Sequence, residues 1–141
     1  MRIWQAMYLL IWIAFLQILF ILFSPLAGTA LGGMADIAVH AVIGIAILGL
    51  AFYIARGVRG TSCPDRIKRI TRTTWYLAVL QGVLGVALAI GVILSWGSLY
   101  FSVIALLHVA NALAIITQAS SSATAFDMWE EKEFQVTPAP Q

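Results

Sequence analysis

Two histidines, His40 and His108, are the only ones in the chain, and each lies within a long apolar run. Ionisable side chains at membrane depth are costly and usually functional. His40 precedes Arg56 by 16 residues, about 24 Å along a helix. His108 precedes Asp127, the first charge after its run, by 19 residues, about 28 Å. We therefore predict that both imidazoles lie at similar depth, toward the outer leaflet.

Neighbours on the same helix face as the histidines, and a stripe on the third apolar run, are small or polar. A face of this kind leaves room inside a bundle for a cofactor. The alternative is close helix packing, in which each histidine hydrogen-bonds a backbone group or a glutamine. The candidate cofactor-binding residues besides the histidines are Gly44, Gln81, Gly85, Asn111 and Ala112.

Paired imidazoles in an apolar bundle favour heme over other metal sites. Zinc would need further Cys, His or carboxylate ligands, and only Asp36 is near. Heme iron needs two axial ligands, and its porphyrin needs apolar walls and space. We predict heme b with its iron held by His40 and His108. Because both axial positions are then filled, electron transfer is favoured over oxygen chemistry.

Two other functions remain open. One is a non-heme accessory subunit of a respiratory membrane complex. The other is proton or ion transport, which is less favoured because no acidic residue lies deep in any apolar run. A polar path for transport would use Gln17, Asp36, Gln81 and Asn111 together with the histidines.

The elements that must position these residues are membrane helices. The chain is 62% hydrophobic and only 10% charged, which is far from the composition of a soluble domain. Each of four apolar stretches, about 3–23, 32–55, 74–94 and 99–119, has roughly the 20 residues of a spanning helix. The prediction is one all-α integral membrane domain, a four-helix bundle. In its short tail, 120–141, the segment DMWEEKEF could extend the fourth helix.

The basic residues predict the orientation. Six of the eight Lys and Arg residues lie between the second and third spans, and the other two connections have none. The positive-inside rule then places both termini on the cytoplasmic side of the cell membrane. The net charge of +2 gives no sign of nucleic-acid binding. Cys63, in the basic connection, has no partner for a disulfide or zinc site.

The two halves of the chain resemble each other, which predicts two similar helical hairpins. Gln17 in the first span corresponds to Gln81 in the third, and HAVIGIAI, from His40, corresponds to HVANALAI, from His108. Similarity among small aliphatic residues also arises by chance. If the repeat is real, a two-fold axis along the membrane normal brings the histidines to face each other.

The segments LQGVLGVALAIG and IALLHVANALAI resemble the third and fourth helices of one half of a heme A synthase. Each half of that family is a four-helix bundle with a histidine on its second and fourth helices. The resemblance implies heme binding by His40 and His108, and an alternative oxidoreductase activity on heme O. Where the family's catalytic half has Glu-x-x-x-His-Arg, this chain has Asp36, His40 and Ala41. Asp36 is therefore the candidate catalytic residue.

The first span predicts a protein contact. Its aromatic and aliphatic faces suit self-association or docking on a larger respiratory complex, and they equally suit lipid contact. These faces comprise Trp4, Tyr8, Trp12, Phe15, Leu19 and Phe23.

Overall fold

The computed structural model describes residues 1–23 and 34–136, which form four helices. Each helix is long and apolar enough to cross a membrane, and the described residues contain no strand. The predicted all-α membrane bundle is thereby confirmed. The helices are α1 (Ile3–Phe23), α2 (Met34–Arg59), α3 (Asp65–Ile93) and α4 (Ser98–Val136).

Three of the helices continue past the predicted spans. α2 ends at Arg59 instead of residue 55, and α3 begins at Asp65 instead of residue 74. α4 passes residue 119 and ends at Val136, so the segment DMWEEKEF does extend it, as expected. The predicted limits followed apolarity, whereas a helix beyond the membrane only needs its backbone hydrogen bonds and tolerates charged side chains. The predicted outer loop, SPLAGTALGG at 24–33, lies outside the described residues, as does the end of the tail, 137–141.

Two short connections join the described helices. Between α2 and α3, the amide of Gly60 donates to the carbonyl of Gly57 at 3.1 Å, and Pro64 precedes the first turn of α3. Between α3 and α4, Ser95 adopts a positive φ of 53°, and the amide of Trp96 donates to the carbonyl of Gly91 at 3.0 Å. Both connections are tight enough to make the flanking helices antiparallel neighbours.

The helices are arranged as a square. α1 packs on α2 and α4, and α3 packs on the same two helices. Within the described ranges, α1 does not pack on α3, nor α2 on α4. The helices that carry the two histidines, α2 and α4, therefore occupy opposite corners of the bundle.

The tightly packed core is confined to one end of the bundle, which we term the loop end because it lies toward the α2–α3 connection. In the opposite half, the histidine end, Gly91 is the one buried residue among the described segments 15–23, 35–46, 79–93 and 98–110. The largest side chains of the loop-end core are Met7, Leu10, Ile47, Ile54, Val58, Ile67, Ile115 and Phe126, and Cys63 is buried with them.

Candidate functional site

The two histidines meet between opposite helices. The ring centroids of His40, on α2, and His108, on α4, are 6.0 Å apart, with 46° between the ring planes. Both side chains are half-buried. Because α2 and α4 do not pack on each other in the described structure, the two rings bridge the diagonal of the bundle. This is the arrangement expected from the sequence repeat.

Gln17, from α1, holds His40. Its amide Nε2 is 3.1 Å from His40 Nδ1 and 3.2 Å from His40 Nε2, and it donates to the His40 carbonyl oxygen at 3.2 Å. A Cβ added at Gly44, one turn along α2, would lie 3.7 Å from the same Nε2. Gly44 thus leaves the amide group of Gln17 room to lie along α2.

The matching glutamine of the second hairpin has a different partner. Asn111 donates through Nδ2 to Gln81 Oε1 at 2.7 Å and to the carbonyl of Leu77 at 2.9 Å. Asn111 lies three residues after His108, where the first hairpin has Ile43. An asparagine side chain can donate a hydrogen bond to a neighbouring glutamine, and an isoleucine side chain cannot. Gln81 is therefore bonded to Asn111, while Gln17 is bonded to the histidine.

The remaining predicted site residues flank this pair. A Cβ added at Gly85 would lie 3.5 Å from His108 Cε1, so α3 passes close to that ring. Ala112 is half-buried on α4, next to Asn111. Asp36 is half-buried in the first turn of α2, one turn before His40.

Two polar atoms of the cluster lack hydrogen bonds. Gln17 Oε1 and His108 Nδ1 are both buried and have no partner within the described part of the chain. Leaving a buried polar atom unsatisfied costs about 1–3 kcal/mol, and such atoms often mark a bound water or ion. One unsatisfied atom belongs to the histidine pair itself, and the other belongs to Gln17, which contacts His40.

The histidine pair is not joined by further metal-binding side chains of the described residues. In residues 1–23 and 34–136, no group of three or more His, Cys, Asp or Glu side chains comes together. A histidine nitrogen binds a metal such as zinc at about 2.0–2.1 Å, so a metal between two imidazoles sets their centroids about 6 Å apart. The observed separation is 6.0 Å. A porphyrin supplies the remaining ligands itself.

Outward-facing side chains near the histidine pair are apolar and exposed. Near His108, Leu106 is 70% exposed, and on α3 Val83 and Val86 are about 60% exposed. These side chains are apolar and not packed by the chain itself. The histidine end thus offers apolar surface that a ligand, lipid or partner can cover.

Sequence reasoning noticed Gln17 as a repeat position but did not include it among the cofactor-binding residues. The signal that distinguishes it is the exchange of Asn111 for Ile43 at the third residue after each histidine. Comparison with family models, curated proteins and solved structures finds no significant match to this chain. The fold and site define a four-helix membrane bundle with a histidine pair at its centre.

Proposed function

We propose that the chain binds one heme b through His40 and His108 and transfers electrons within the membrane. The observation that carries the proposal is the 6.0 Å separation of two imidazoles from opposite helices. A heme held by two histidines supplies a one-electron iron couple.

Each residue of the cluster has a defined role in this proposal. His40 and His108 each provide a ring nitrogen to the iron. A metal-bound histidine usually donates its other ring N–H to an acceptor. Gln17 Oε1 is such an acceptor, because rotating the amide by 180° exchanges it with the Nε2 that now contacts His40. Gln17 would then fix the orientation of the His40 ring.

The spectrum of the purified protein tests this proposal. Protein from heme-replete cells should give the reduced-minus-oxidised difference spectrum of a six-coordinate low-spin heme b, at about one heme per chain. Ser102→Ala, an exposed change on the same helix as His108, should leave the spectrum unchanged. Colourless protein that is folded and helical would contradict the proposal.

Heme A synthesis from heme O is the competing proposal, and Asp36 is the observation that favours it. Its carboxylate lies one turn before His40, where the resemblance to heme A synthases predicts the catalytic acid. Co-expression with a heme O synthase, followed by extraction of the hemes, separates the two functions. Electron transfer predicts heme b alone. Heme A or its alcohol intermediate, lost in Asp36→Asn, would support the synthase.

For the location, we propose the cell membrane with both termini in the cytoplasm. The support is the clustering of arginines at the loop end. The Tyr53 hydroxyl donates to the Met1 carbonyl at 2.6 Å, which brings the N-terminus to the same end. A periplasmic or extracellular reporter fused after Gln141 should be inactive, and an active one would reverse the orientation. A respiratory membrane complex is the proposed setting for the electron transfer.

A further inference from the structure

An open cleft of about 380 Å³ lies between α1 and α4 at the loop end. It is lined by Trp4, Tyr8, Asp127, Glu130 and Glu131, and we term it the acidic cleft. The Tyr8 hydroxyl donates to Asp127 Oδ2, and the Trp4 and Tyr8 rings meet edge to face with centroids 6.5 Å apart. Aromatic rings beside carboxylates suit a cationic group, and the planar guanidinium of arginine most of all.

The opposite side of the same bundle carries unpaired arginines. The α2–α3 side of the square lies across from the α1–α4 side. The arginines of α2 and α3 form no ion pair with another described residue, whereas Lys68 pairs with Asp65 at 3.7 Å. We term this surface the basic edge; its exposed arginines are Arg56, Arg59, Arg66, Arg69 and Arg72.

The acidic cleft and the basic edge lie at the same height along the bundle. A Cβ added at Gly57 would be 3.2 Å from Ile3 Cδ1, so this part of α2 is level with the start of α1. Thr71 and Met7 face the same part of the packed interior, and Met7 is level with Tyr8. Arg72, the next residue on α3, is therefore at the depth of the cleft. A membrane holds every copy in one orientation, so this match in depth holds between neighbouring copies.

We propose that the acidic cleft binds the basic edge of a second copy of the chain, with Arg72 entering between the aromatic and carboxylate side chains. The contact is head to tail, because a two-fold contact would place like charges against each other. Each copy then offers one cleft and one edge, which yields a ring or a row of copies in the membrane. This inference is independent of heme binding.

Charge-reversal variants of the full-length chain, carrying two different tags and measured by co-purification, test the contact. Glu130→Lys alters the cleft and Arg72→Glu alters the edge. Either variant expressed alone should associate about tenfold more weakly than the wild type, because like charges then face each other. Co-expression of the two variants pairs Lys at 130 with Glu at 72, and co-purification should return to the wild-type level.

Ser98→Lys and Ser98→Glu are the controls, since they introduce the same charges at an exposed position at the opposite end of the bundle, outside the proposed contact. Both should associate like the wild type, and added salt should weaken the wild-type contact. Energy transfer between fluorescent C-terminal fusions in native membranes provides the second readout. The proposal is overturned if the wild type is monomeric, if either single variant associates normally, or if the mixed variants fail to recover.

Discussion

The loop end and the histidine end of the bundle are built on different principles from similar apolar residues. At the loop end, small and branched side chains from all four helices fill the interior, and Met7 and Leu10 are 1% exposed. At the histidine end the interior holds polar groups, and two of their buried atoms lack partners. The difference indicates that the loop end provides the stability of the bundle and the histidine end provides its site.

The largest change in stability should come from the loop end. Leu10→Ala leaves a cavity in a packed interior, and we expect a loss of about 2 kcal/mol in the free energy of unfolding. The lost side chain would be solvated by lipid in the unfolded state, so the cavity dominates this cost. The matched change Leu106→Ala, at a 70% exposed position of the histidine end, should cost less than about 0.5 kcal/mol. Reversible unfolding in detergent with increasing denaturing surfactant measures both, and equal losses would contradict the division.

The next effect should be on the space beside His108. Gly85→Leu would push a side chain against the ring, since even a Cβ there would lie 3.5 Å from His108 Cε1. Overpacking of this kind costs at least about 1 kcal/mol, enough to reduce heme occupancy about tenfold. Gly82→Leu is the control on the same helix, where a Cβ meets no atom within 4 Å. Heme content per chain, measured after extraction, should fall only in the first variant. A similar fall in both variants would show that heme is lost through a general disturbance of α3 and not through crowding beside His108.

A smaller effect should separate the two glutamines. Gln17→Leu removes the partner of His40, and the loss of a group that orients a metal ligand typically weakens metal binding about tenfold. Gln81→Leu removes the partner of Asn111, and heme should then dissociate at the wild-type rate. Transfer of heme to an excess of an apo-globin gives both rates. Faster loss from the Gln81 variant than from the Gln17 variant would reverse the assigned roles.

The sequence was sufficient to predict the fold and the meeting of the histidines, because apolar length and helical rise determine span and depth. It could not predict which atoms bond within the site. Gln17 and Gln81 occupy equivalent positions, yet their partners depend on one neighbouring residue, Asn111 or Ile43. The predicted limits of α2 and α3 are too short because hydropathy changes at the membrane surface while the helical backbone continues.

The acidic cleft was also missed from the sequence, although its signal was present. Trp4 and Tyr8 are one turn apart on α1, and Asp127, Glu130 and Glu131 share about one turn of α4. Recognising the cleft required knowing that α4 continues beside the start of α1.

Replacing each proposed iron ligand by alanine and adding imidazole tests the central claim most directly. His40→Ala and His108→Ala should each bind heme with one axial ligand missing, and free imidazole should fill the space left by the ring. If both histidines bind the iron, each variant should give a five-coordinate spectrum, and millimolar imidazole should restore the six-coordinate low-spin spectrum. A wild-type spectrum in either variant without imidazole would show that the histidine is not a ligand and would contradict the account.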